Sequence, residues 1–186
     1  IVDAMAKKPE FSFTMAHLKD EGMIATSEIA TKIADFTYSK YMRDTRQALK
    51  DFDDGKDSML IDDMVNMNIM LTGMVSDLST GGKQLAVAHN FYDAVCCMYK
   101  DVRRKYLHGE IVAMALPLQL AVNGRPEAEI EELKAFLREV GIPVSIREAG
   151  VPQDGLEELI TYVHRVTIPD DMELLEQIRD GFKYIM

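Results

Sequence analysis

Tryptophan is absent from the 186 residues, cysteine occurs twice and proline six times. The two cysteines, Cys96 and Cys97, are adjacent in an apolar run that reads as helix. Neighbouring residues on a helix point in different directions, so a disulfide framework is excluded. No stretch approaches the ~18 uncharged apolar residues that a membrane span needs. No signal-peptide pattern is recognisable and there is no secretory cysteine spacing, so a cytoplasmic protein without membrane contact is expected. Basic charge is also scarce: 21 Lys+Arg face 31 Asp+Glu, a formal net charge of −10. Phosphate tracking depends on Lys and Arg, which removes nucleic acid from the expected partners. Internal repeats and low-complexity tracts are missing, as are alternating period-two runs of any length.

What remains is a globular composition, 47% hydrophobic and 28% charged, in a chain long enough for one ample core. One domain over residues 1–186 is the expectation. Apolar residues recur at three- and four-residue spacing nearly throughout, so the fold class is mostly α, a helical bundle of six or seven helices. Ile1 to Ala6 already reads as helix interior. Thr26-Ser27 can cap a helix to about Leu49, and Asp57 or Ser58 can cap the next, Met59 to about Val75. That second segment is apolar on most of its circumference, which predicts burial, with its methionines as gap filler. Gly81-Gly82 breaks the chain before an apolar helix from Gln84 to about Tyr99. The polar run Lys100–Lys105 separates it from another apolar helix, Glu110 to about Val122. Pro126 starts a helix over Glu127–Val140 that Gly141 stops, and Ile142–Ile146 reads as extended. Two helices close the chain, about Gly155–Val166 and Asp171–Tyr184, the last capped by Asp170.

Few residues carry recognisable chemistry. HExxH, CxxC, GxSxG and a Gly-rich phosphate loop after a strand are all missing. The acidic run Asp51, Asp53, Asp54, Asp57, Asp62 and Asp63 lacks the spacing of a calcium loop and reads as a solvated turn. Of the four histidines, His17, His89, His108 and His164, two stand near buried interfaces. His89 is a polar ring in Leu85-Ala86-Val87-Ala88-His89-Asn90-Phe91, and His108 opens the next apolar helix. Each has a plain structural reading, His89 as a hydrogen-bonded core histidine and His108 as a helix cap, beside the reading as metal ligands.

The string Gly81-Gly82-Lys83-Gln84-Leu85-Ala86-Val87-Ala88-His89, followed after 19 positions by His108-Gly109-Glu110 and an apolar helix, resembles the C-terminal helical domain of glycerol dehydrogenases. These belong to the iron-containing alcohol dehydrogenase and dehydroquinate synthase superfamily. Asp3, in Ile1-Val2-Asp3-Ala4-Met5, matches the family's aspartate motif, 86 positions before His89. The resemblance implies that Asp3, His89 and His108 ligate Zn²⁺, with Fe²⁺ as an alternative. It further implies oxidation of a polyol or secondary alcohol with NAD, and a homo-oligomer. On this reading the chain is one part of a longer enzyme whose N-terminal NAD-binding α/β domain it does not contain. Asp93 stands where iron-type members tend to have a further histidine, which favours the three-ligand, zinc-using branch. Two alternatives are another superfamily member, such as a glycerol-1-phosphate dehydrogenase, and a non-catalytic helical module that keeps only the fold.

Overall fold

The chain folds into α-helices joined by short turns, and no strand occurs among the described residues, which are 1–17, 25–79 and 85–186 of a computed structural model. The expected Gly81-Gly82 break and the start of the next helix at Gln84 lie outside them. The helices divide between two compact units, the first comprising Ile1 and Asp3–Gln84, the second Val2 and Leu85–Met186.

In the first unit α1 (Val2–Met5), apart from Val2, leads into α2 (Lys7–His17), and the long α3 (Ala25–Asp53) is the unit's spine. Thr26 and Ser27 lie inside α3 rather than at its cap, and the helix runs on past Leu49. Its buried positions Ala30, Ala34, Thr37, Tyr38, Tyr41, Thr45 and Ala48 follow the three/four spacing of one face. The small side chains there let α2, α4 (Met59–Asn66) and α5 (Thr72–Leu78) approach, and Phe11, Ala30, Ala34 and Val75 form one packed cluster. Gly55 ends α3 at φ +65°, with the Lys56 amide donating to the Asp51 carbonyl (2.9 Å) and the Gly55 amide to Phe52 (3.0 Å). This is the left-handed stop that glycine adopts without steric cost. Ser58 then caps α4: its Oγ accepts from the Leu60 amide (3.3 Å) and donates to Asp51 Oδ2 (2.8 Å), joining the end of one helix to the start of the next.

The methionine-rich segment departs from expectation. It is interrupted by a π-helical stretch, Met67–Leu71, where Thr72 Oγ1 donates to the Met67 carbonyl (3.0 Å), and it is not buried all round. Met64, Met67 and Val75 are buried, whereas Val65, Ile69, Met70 and Met74 are exposed. A helix lying on one neighbour buries a single stripe of roughly 100°, so apolar residues beyond that stripe stay in water. Gap filling therefore describes Met64 and Met67 but not Met59, Met70 or Met74.

Asp44 supplies a pH probe of this unit. Its carboxylate accepts from Arg43 Nε (2.7 Å) and Nη2 (2.8 Å) and from Lys40 Nζ (3.0 Å), and Lys40 also bridges to Asp63 on α4 (2.8 Å). Hydrogen bonding from Arg43, then Lys40, pulls the Asp44 carboxyl from 3.8 down to about 2 against the opposing effect of burial. A carboxyl lowered by folding stabilises the native state above its unfolded value, and that contribution is lost as pH falls through the folded value. The urea midpoint of the protein should drop between pH 4 and pH 2, and Asp44→Asn should flatten that drop. An unchanged slope in the variant would assign the acid sensitivity to other groups.

In the second unit α6 (Val87–Met98) packs against α8 (His108–Met114), α9 (Leu116–Val122) and α12 (Leu156–Thr167). α9 in turn packs on α10 (Glu127–Glu139) and α13 (Met172–Gly181), and α12 packs on α13. Lys100–Lys105, expected as a polar separator, is itself a short helix, α7. The apolar helix expected over Glu110–Val122 is two helices: Pro117 has no amide proton and crowds the carbonyl four residues before it, so the chain turns at Ala115. Gly141 stops α10 as expected, at φ +81°. Residue 145 is extended, but Ser145 caps α11 (Ile146–Ala149), so Ile146 belongs to a helix. Asp171, not Asp170, caps α13, its Oδ1 accepting from the Leu174 amide (2.9 Å). Gly181 lets α13 approach α9, since a Cβ there would lie 2.8 Å from Leu118 Cδ1.

Candidate metal centre

His89 is the third residue of α6, and the start of that helix is set from outside it. Ala86 at the N-cap offers no side-chain acceptor. Gln119, fully buried on α9, substitutes: its Oε1 accepts from the Val87 amide (2.8 Å) and the Ala88 amide (3.3 Å), while Nε2 donates to Asn123 Oδ1 (2.8 Å). Two of the amides that every helix start leaves without an intrahelical acceptor are thereby satisfied. Gln119→Met keeps the length of the side chain and removes that acceptor. It should cost about 1–3 kcal/mol, the range for leaving a buried donor unsatisfied. Urea unfolding would give the loss, and hydrogen exchange at Val87 and Ala88 should accelerate more than exchange in α10.

His108 is the first residue of α8. Leu107 before it is extended, and the Leu107 amide donates to Glu110 Oε2 (2.7 Å), which holds the turn into the helix. This packing brings the two half-buried histidines together: their ring centroids are 5.4 Å apart at 49°, and a nitrogen of one ring lies within 4.8 Å of a nitrogen of the other. Tyr92, one helical turn after His89, sets its ring edgewise on His108 with centroids 4.2 Å apart at 70°. Its phenol is held above its ordinary value, first by a hydrogen bond with the Cys96 thiol and then by burial, with Arg103 acting in the opposite direction. The Tyr162 phenol is likewise raised, by Cys97 first, and the charge of Asp93 adds to it. Cys96 and Cys97 are both free thiols.

Asp3 lies half-buried on α1 and belongs to the first unit, whereas His89 and His108 belong to the second. Asp93 is exposed on α6. The other two histidines have structural partners. His17 Nδ1 lies 2.8 Å from the Phe13 carbonyl with its ring 4.0 Å from that of Phe13, and buried His164 Nε2 lies 2.7 Å from the Asp171 carbonyl. The sequence reading missed Tyr92 and Gln119 as parts of this centre. A signal for each was present: Tyr92 stands three residues after His89, and Gln119 is the one polar residue in Leu116-Pro117-Leu118-Gln119-Leu120-Ala121-Val122.

No protein-family model matches the chain. A glycerol dehydrogenase of Thermotoga maritima is 33% identical to it over 82 residues, which are 44% of this chain and 21% of that protein. Among solved structures, a probable glycerol dehydrogenase from Sinorhizobium meliloti superposes with a TM-score of 0.71 at 20% identity, covering 98% of this chain and 53% of its own. Glycerol dehydrogenase from Schizosaccharomyces pombe gives 0.66 at 20% identity, covering 84% and 41%. The chain thus spans about half the length of the solved structures it resembles. No helix among the described residues is long and apolar enough to cross a membrane.

Proposed function

We propose, from the premise that this chain is a homologue of glycerol dehydrogenase and a helical part of that larger enzyme, that Asp3, His89 and His108 are the ligands of its catalytic metal. The observation that carries the reading is the pairing of His89 and His108, two imidazoles from different helices whose nitrogens approach within 4.8 Å. The donor set fits a divalent ion. Two neutral imidazoles and one carboxylate suit Zn²⁺, and Fe²⁺ is also compatible, while three protein ligands leave coordination positions open, as catalytic sites require. When bound, the ion would act as a Lewis acid on the oxygen of an alcohol.

The chain's own residues would bind and orient. Gln119 holds the first turn of α6 and so the backbone of His89, and the Tyr92 ring limits the rotation of His108. The substrate would be a polyol or secondary alcohol, and the hydride acceptor NAD. The described residues contain no strand followed by a Gly-rich loop, the element that cradles a dinucleotide pyrophosphate, so NAD would be held by another part of the enzyme. Residues 1–186 would act as one metal- and substrate-carrying part in a homo-oligomer.

Equilibrium dialysis against Zn²⁺, with elemental analysis, tests the reading. About one equivalent per chain is expected, and none when His89 and His108 are both replaced by alanine. Fe²⁺ under anaerobic conditions gives the parallel measurement. A stoichiometry that survives the double substitution overturns the assignment and leaves the non-catalytic helical module as the better account.

A further inference from the structure

Arg103, on α7, lies between the helices that carry the two histidines. Its Nε donates to the Tyr92 hydroxyl (3.1 Å) and its Nη1 to the Tyr106 carbonyl (3.3 Å), with the guanidinium carbon 5.6 Å from the centre of the Tyr92 ring. Tyr92 leans edgewise on the His108 imidazole, and Tyr106 stands two residues before His108 in the chain. One guanidinium therefore holds both the ring that borders His108 and the backbone that leads into it.

We propose that Arg103 and Tyr92 are positioning residues that fix the orientation of the His108 ring for metal binding; this rests on the reading of His108 as a ligand. The torsion between Cβ and an imidazole ring is broad and roughly two-fold, so a histidine at a helix start does not point its nitrogen in one direction without help. An edgewise aromatic neighbour 4.2 Å away narrows that torsion. The neighbour must itself be held, and its hydroxyl is anchored by Arg103. Arginine suits the task because its planar fork serves two acceptors at once, which a lysine ammonium on a flexible stem does less well. Outer partners that orient a ligand are worth about ten- to a hundredfold in metal affinity.

Co²⁺ is the probe, since its visible absorption reports ligand geometry apart from any enzymatic activity. Tyr92→Phe keeps the ring and removes its anchor, and Arg103→Met removes the donor. Each should weaken Co²⁺ binding about tenfold or more in competition with a chelator and alter the visible bands of the bound ion. Because both act through one link, the double variant should be little worse than the more damaging single one. Arg103→Lys, whose ammonium keeps the charge and the donors but not the planar fork, should fall between parent and Arg103→Met. If the variants unfold more readily in urea while folded protein binds Co²⁺ with parental affinity and spectrum, the two residues only staple α7, and the proposal is overturned. His108→Ala separates the two levels of the argument. Should it leave Co²⁺ binding intact, His108 is not a ligand and the underlying reading falls together with this inference. Should it abolish binding while Tyr92→Phe and Arg103→Met leave it unchanged, only the positioning role falls.

Discussion

Replacing His89 or His108 by alanine is expected to lower Zn²⁺ affinity by roughly a hundredfold or more, beyond the ten- to hundredfold typical of losing an outer partner. Each substitution removes one of three proposed donors. Asp93 is exposed on α6, where its charge acts on the Tyr162 phenol, and His17 and His164 are engaged with backbone carbonyls. Asp3→Asn should also weaken binding, but less, because the amide keeps a ligating oxygen and loses the negative charge. Chelator competition measures all three. Circular dichroism should show that the histidine variants remain folded, since both rings are half-buried and neither belongs to the packed core. Equal affinity in parent, His89→Ala and His108→Ala would remove the metal site and with it the proposed catalytic role.

Phe91→Ala should produce the largest loss of stability, about 3–5 kcal/mol, the usual range for truncating a buried aromatic ring. Phe91 is fully buried on α6, two residues from His89, and its ring lies 6.2 Å from that of Phe182, which is also buried. The truncation loses the transfer energy of the ring and opens a cavity among close-packed helices that cannot collapse freely. Met70→Ser is the counterpart in the other unit. Although Met70 sits in a methionine-rich, largely apolar stretch of the chain, its side chain is 60% exposed, and the substitution should stay within about 0.5 kcal/mol. Urea unfolding of both variants checks the contrast. A large loss for Met70→Ser would mean that the outer face of that helix is covered in solution.

The two histidines were visible in the residue order because polar rings interrupt apolar helices at His89 and His108 and a family resemblance surrounds them. Their immediate supports were not. Nothing within four residues of His89 reveals that its helix start is capped by Gln119, 30 positions further along the chain. Arg103 reads as one charge in a polar run until Tyr92 and Tyr106 are seen to accept from it.

Helix identity and several boundaries follow from local chemistry: the Ser58 cap, the Gly55 and Gly141 stops, and the break that Pro117 imposes. These depend on hydrogen bonds and backbone torsions spanning about one turn, so neighbouring residues suffice to specify them. Burial does not. Residues 59–75 are apolar on nearly every side, yet only the stripe through Met64, Met67 and Val75 is buried. Which face of a helix leaves water depends on which distant segment covers it, and that is decided only when the helices pack. The same packing brings the nitrogens of His89 and His108 within 4.8 Å. The candidate ligands were named through the family resemblance that the residue order carries, whereas the contacts around His108 came from tertiary structure alone.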